Sequence, residues 1–188
     1  MWVVKIGGSL NKDPLLPQWL ELMAQLGGGR VTVVCGGGSF ADAVRQAQAQ
    51  WHFDRLPARN MALLAMAQMA YLAHGIEPRL RLAASEASIR KVLRAGHTAL
   101  WLPLELLRDA PNADGSWDHG SDRVALDLAC RLNAEHLVLV KSSVTDPAAS
   151  QAESISNRSG LPIDIVHRAD LARMRTLLQG DSHQSNAD

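Results

Sequence analysis

Short runs in which nearly every residue is apolar alternate along this chain with longer stretches whose apolar positions recur every three or four residues. The runs are WVVKI (2–6), VTVV (31–34), TALWL (98–102), HLVLV (136–140) and IDIV (163–166). Their Val, Ile and Leu content predicts strands buried on both faces. Residues 15–26 place Leu16, Leu20, Met23 and Leu26 on one helical stripe that stops at Gly27-Gly28-Gly29. Further helices are predicted over 40–51 after Ser39, over 57–74 from Pro57, and over 86–95 between Ser85 and Gly96. Two more are predicted over 122–133 after Ser121 and over 168–179. This alternation predicts an α/β protein, a parallel sheet covered by helices on both sides. The simplest organisation is one domain over residues 1–180 and a polar tail over 181–188. Residues 146–160 and the tail, small and polar, read as less ordered.

Composition narrows the partners. Lysine plus arginine and aspartate plus glutamate both total 19, so no bulk charge draws the chain to nucleic acid or a membrane surface. No charged start precedes an apolar segment, and no apolar run approaches about twenty residues. Neither a secretion signal nor a membrane span is expected, and a cytoplasmic location follows. The two cysteines, Cys35 and Cys130, sit in apolar surroundings and are expected as buried, reduced thiols. The long helix 57–74 carries more Met, Leu and Ala than one buried face requires. Its spare surface could pack across a homodimer, and burial within a monomer accounts for it equally well.

Ligands of parallel sheets gather at the carboxyl ends of the strands, which gives the residues just after each run their interest. The first run ends in Lys5-Ile6-Gly7-Gly8-Ser9. Glycines there let the backbone approach an anion, and Lys5 can reach past the strand end towards it; a tight turn with a surface lysine explains the same letters. The second loop, Cys35-Gly36-Gly37-Gly38-Ser39-Phe40-Ala41-Asp42, offers a helix N-terminus to an anion. It is neither a dinucleotide fingerprint nor a P-loop, and Ser39-x-x-Asp42 also fits a capping box.

The third loop, Trp117-Asp118-His119-Gly120-Ser121-Asp122-Arg123, opens a helix and puts Asp122 in its first turn. A carboxylate there favours the helix dipole, and it could equally orient lysines beside a transferring phosphate. Lys141 ends the fourth run, either as a solvated terminus or as a partner of Lys5 on one sheet edge. No His or Cys spacing predicts a metal site, and the seven histidines are scattered. Two lysines, two glycine loops and one aspartate on a single edge describe phosphoryl transfer by positioning and charge neutralisation.

Together, KIGGSL, VCGGGSFADAVR, WDHGSDRVALDLA and LVLVKSS resemble the amino acid kinase superfamily over roughly residues 1–180. The resemblance implies a three-layer αβα sandwich around a mainly parallel sheet, and ATP-dependent, Mg2+-assisted phosphorylation of a carboxylate, carbamate or phosphate. It implies that Lys5, Gly7, Gly8 and Ser9 contact the transferring phosphoryl group. It gives the acceptor side to Gly36, Gly37 and Gly38, makes Asp122 the organiser of the catalytic lysine, makes Lys141 the catalytic residue that supplies a second positive charge, and gives Ser142 to the nucleotide phosphates.

Within the superfamily, Gly38-Ser39-Phe40-Ala41-Asp42 stands where isopentenyl phosphate and fosfomycin-type kinases carry G-S-F-G-H. The stretches GGGSFADAVR, ARNMALLAMAQMAYL and WDHGSDRVALDLA look most like the small kinases of methanofuran-type cofactor synthesis. Those convert an aminomethylfuran-methyl phosphate to its diphosphate. An acceptor of that kind implies Asp42 or Asp118 beside its ammonium group and Arg45 or Arg59 on its phosphate. After Lys141, Ser-Ser-Val-Thr-Asp-Pro replaces the family's usual T-D-V-D-G-V-Y segment, so a shortened nucleotide lobe is expected. Alternatives are a kinase of another small acid or monophosphate, and a non-catalytic member that binds nucleotide or oxyanion.

Overall fold

The computed structural model describes residues 1–109, 120–143 and 160–180. Six strands form one sheet: β1 (Trp2–Ile6), β2 (Val31–Cys35), β3 (Arg81–Ala83), β4 (Ala99–Trp101), β5 (His136–Lys141) and β6 (Ile163–His167). Their spatial order is β3-β4-β2-β1-β5-β6, and every pairing is parallel. Among the described residues six α-helices accompany them: α1 (Leu16–Leu26), α2 (Gly38–Trp51), α3 (Arg55–Ile76), α4 (Glu86–Arg94), α5 (Ser121–Arg131) and α6 (Leu171–Gly180). This is the expected α/β sandwich around a parallel sheet.

The pleat sorts the strand residues into two cores. Val4, Ile6, Val33, Val138 and Val140 pack against Trp19 and Met23 of α1 and Met174 and Leu178 of α6. Val3, Val34, Leu137 and Leu139 pack on the other side against Ile89 of α4 and Ala125 and Leu128 of α5. Helix α3 reaches both clusters, through Leu63 and Met66 to one and through Met69 and Ala70 to the other. It leaves Met61, Leu64, Tyr71, Leu72 and Ile76 exposed. The chain begins in the middle of the sheet, winds outward through β2, and then returns to β5 on the opposite side of β1. The crevice where a sheet changes winding direction is where such folds bind ligands, and here it lies beside β1.

The structure adds one strand to the expected five. β3 has only three residues and an exposed Arg81, too short and too polar at its start to show as an apolar run. Ser85 caps α4 as expected, in a capping box with Ser88. Ser39 does not cap α2: that helix starts at Gly38 with Gly37 at its N-cap position, and neither Ser39 nor Asp42 makes a capping-box bond. The Ser39 hydroxyl instead accepts from Asn11 Nδ2 at 2.5 Å. The expected pair of buried thiols is half met. Cys35 is buried and its thiol is pushed up to about 12 by desolvation, against the lowering effect of Lys5; Cys130 is exposed. Among the described residues, no helix is long and apolar enough to cross a membrane.

Candidate active site

Lys5 and Lys141 have the parity of Val3, Leu137 and Leu139, so both side chains stand on the α5 side of the sheet. Register sets Lys5 opposite Leu139, which puts Lys141 one pleat further along the neighbouring strand. Helix α5 begins above them with Asp122 in its first turn. The Asp122 carboxylate bridges the two lysines: Oδ1 lies 2.7 Å from Lys5 Nζ, and Oδ2 lies 2.8 Å from Lys141 Nζ. Both lysines are buried, Lys5 to 5% and Lys141 to 6% relative exposure.

Two positive charges in this buried group face one negative charge, and burying charge is costly unless it is matched. Apart from these ion pairs, neither Lys141 Nζ nor Asp122 Oδ1 has a hydrogen-bond partner among the described residues. Burial pushes the Asp122 carboxyl up, but the charge of Lys5 and the hydrogen bonds from Lys141 and Lys5 outweigh it and hold the group below its usual range. Asp122 is therefore ionised at neutral pH. The triad retains an excess positive charge that an anion would neutralise.

The two glycine loops meet beside the triad, backbone against backbone. A Cβ on Gly8 would lie 2.5 Å from Gly38 N, and one on Gly36 would lie 2.6 Å from Gly8 N. Gly38 also adopts a left-handed φ of 54°. The glycine triplet thus has a packing reason as well as an anion-binding one, and Asn11 to Ser39 ties the loops together. The amide of Gly7 does not enter a phosphate nest: it donates to Val140 O at 3.0 Å and continues the β1–β5 ladder.

A cleft of about 900 Å³ opens next to these loops. Gly8, Ser9, Gly37, Gly38 and Ser121 contribute to its wall, and Gly7, Gly36 and the triad residues are not part of that lining. Its described lining carries six basic side chains (Lys12, Arg45, Arg59, Arg108, Arg123 and Arg131) against two acidic ones, Asp42 and Asp127. Each carboxylate is already held by an arginine, Asp42 by Arg45 and Asp127 by Arg123. The cleft is built for anions.

Most of the expected site residues come together in this way. Arg59 is half-buried in the cleft, whereas Arg45 is exposed and engaged with Asp42. Ser142 is exposed just past the triad, and its carbonyl accepts from His167 Nε2 at 3.0 Å. Asp118 lies outside the described residues. Lys12, Arg108, Arg123 and Arg131 line the cleft without having stood out in the sequence. Of these only Arg123 had a local signal, its i,i+4 spacing to Asp127 on α5.

A buried lysine pair, a shared aspartate and a cationic cleft at the carboxyl edge of a parallel sheet define a phosphoryl-transferring α/β protein. A model of the amino acid kinase family matches residues 1–144, so the chain belongs to that family and is an ATP-dependent kinase of small molecules. Solved structures of similar fold include UMP kinase from Bacillus anthracis, at 15% identity and TM-score 0.69, covering 95% of this chain and 91% of that one. Uridylate kinase from Archaeoglobus fulgidus matches at 13% identity and TM-score 0.70, covering 95% of each chain. An isopentenyl phosphate kinase matches at 14% identity and TM-score 0.64, covering 96% of each. No curated protein matches the sequence.

Proposed function

We propose that this kinase transfers the γ-phosphoryl group of ATP to the phosphate of a small phosphomonoester, with an aminomethylfuran-methyl phosphate as the acceptor. The observation that carries the phosphoryl-transfer step is the buried Lys5–Asp122–Lys141 group with its unmatched positive charge. In this reading Lys5 and Lys141 hold the transferring phosphoryl oxygens, while Asp122, in contact with both ammonium groups, fixes them and lowers their mutual repulsion. Transfer of this kind needs little covalent chemistry from the protein; aligned partners and charge stabilisation supply most of the rate. Gly8 and Ser9 border the path on the cleft side.

The surplus of arginine in the cleft favours a phosphorylated acceptor over a neutral one. The names of the similar structures, kinases of UMP and of isopentenyl phosphate, point the same way. The furan acceptor itself rests on the resemblance of the loops to methanofuran-type kinases. In that reading Arg59 takes the acceptor phosphate, with Arg45 as the weaker candidate, and Gly37 and Gly38 border the acceptor. The ammonium goes to Asp42, which exchanges its Arg45 partner, or to Asp118. Among the described residues no cluster of three or more His, Cys, Asp or Glu could hold a metal ion, so Mg2+ would enter with the ATP phosphates.

The test is ADP release from Mg-ATP with a panel of acceptors: the aminomethylfuran phosphate, UMP, isopentenyl phosphate and an amino acid. Release that depends on the furan phosphate is the expected result. Release with a different monophosphate keeps the reaction class and replaces the acceptor. ATP binding with no turnover on any acceptor would contradict the reading and favour a non-catalytic role.

A further inference from the structure

Lys141 is the last residue of β5. Beyond its ion pair with Asp122, its Nζ has no hydrogen-bond partner among the described residues, so the backbone beneath it sets its place. The register with β1 reaches Val140, opposite Ile6, and Gly7 N donates to Val140 O at 3.0 Å. At Lys141 and Ser142 the hold passes to the end of β6. Arg168 N donates to Lys141 O at 2.8 Å, and His167 Nε2 meets the next carbonyl, Ser142 O, at 3.0 Å. Register sets His167 beside Lys141, on the α5 side of the sheet with Ile163 and Ile165.

Two backbone groups fix the state of that imidazole. Ala169 N is a donor and lies 3.2 Å from Nδ1, which must therefore offer its lone pair. Ser142 O is an acceptor, so Nε2 must carry the hydrogen. The turn beneath the ring is fastened from the opposite face of the sheet. Trp19 Nε1 donates to Arg168 O at 2.7 Å, and the Arg168 guanidinium pairs with Asp13 at 2.7 Å. Asp170 N donates to His167 O at 2.8 Å and closes the turn. Trp19 is fully buried, and Asp13 follows the 3-10 turn Gly8–Lys12 that leaves the first glycine loop. A donor on so fixed a base holds its acceptor within a narrow range, as a charge-stabilising group at a reacting phosphate requires.

We propose that His167, as its neutral Nε2–H tautomer, positions the end of β5 so that Lys141 and Ser142 meet the ATP phosphates. His167 is a positioning residue that acts through the Ser142 carbonyl. The inference rests on the role given to Lys141 above.

The test is a calorimetric titration of the full chain with Mg-ATP, which needs no acceptor. His167→Ala should weaken binding about tenfold, the scale of one lost hydrogen bond at the site. His167→Gln should stay within about threefold of wild type, because its amide nitrogen can take the place of Nε2. His167→Asn puts its oxygen where Nδ1 stands, satisfies Ala169 N–H and falls short of Ser142 O, so it should bind like His167→Ala. A role in folding alone would not separate Gln from Asn. In a Lys141→Ala background, His167→Ala should cause little further loss, since both act along one path. The 15N NMR signals of the ring at neutral pH should show the proton on Nε2 and a bare Nδ1. In turnover, His167→Ala should raise the ATP KM and change the acceptor KM by less than about twofold.

Unchanged ATP affinity in His167→Ala, recovery by Asn rather than Gln, or a proton on Nδ1 would overturn the positioning role. So would a full further loss in the Lys141→Ala background. Wild type and Lys141→Ala binding Mg-ATP equally would overturn the role of Lys141, and that of His167 with it. A wild-type chain that binds no Mg-ATP would contradict the kinase reading itself.

Discussion

Strands β1 and β5 run side by side, and their two ends carry different chemistry. At the amino end, the Trp2 and His136 rings stack with centroids 4.6 Å apart. His136 Nε2 meets Asp164 at 2.6 Å, and Arg173 meets the other oxygen of Asp164 at 3.1 Å. Both Asp164 oxygens are engaged, and His136, Asp164 and Arg173 keep partial contact with water. At the carboxyl end, Lys5 and Lys141 are almost fully buried and share one aspartate. The first arrangement is complete as it stands and holds β5 and β6 together. The second is left short of negative charge in a place where charge is costly. A fold tolerates such a deficit where a ligand supplies the missing anion.

The largest effect that sharpens this contrast should come from Asp122→Asn. It leaves two buried ammonium groups without a counter-ion, so turnover should collapse and unfolding free energy should fall by about 3 kcal/mol, as for other broken buried ion pairs. Urea unfolding and ADP release measure the two parts. The pH dependence gives a signed check. The folded carboxyl lies below its ordinary value of 3.8, so its contribution is present above that value and is lost as pH falls through the folded value. The stability gap between wild type and Asp122→Asn should therefore be full at neutral pH and shrink in increasingly acid solution. A gap that stays constant into strong acid would break the account.

Gly8→Ala should come next. Its methyl group would have to push Gly38 N away from 2.5 Å, at a cost of about 1–3 kcal/mol, and would move both loops relative to Lys5. Thermal unfolding with parallel kinetics reads both consequences. The smallest effect is expected at the other end of the strands. His136→Ala removes a stack and a part-buried hydrogen bond to Asp164, a loss of about 1 kcal/mol, with kcat changed by less than about twofold. If that variant lost activity as Asp122→Asn does, the two ends would not differ in the way described.

How much of this was legible in the sequence follows from distance along the chain. The strands and helices showed because their apolar periods are local, and Lys5 and Lys141 showed because each terminates an apolar run. The pairing of both with Asp122 also follows from pattern, once β1 and β5 are neighbours and parity puts both lysines on the α5 side. What could not be read are contacts made between remote segments. Ser39 looked like a helix cap, and its hydroxyl is taken by Asn11 from 28 positions away. Asn60 Nδ2 donates to Arg108 O across 48 positions, a contact that leaves no periodic trace. β3 was hidden because a three-residue edge strand beginning with an exposed arginine has no apolar run to see.

The central claim is that the under-neutralised lysine pair moves the phosphoryl group. The direct test is steady-state ADP release by Lys5→Ala, with circular dichroism and thermal unfolding confirming an intact fold. The account predicts that kcat falls by about 1000-fold or more, the scale expected when a group stabilising transition-state charge is removed. Full activity in a folded Lys5→Ala protein would contradict it.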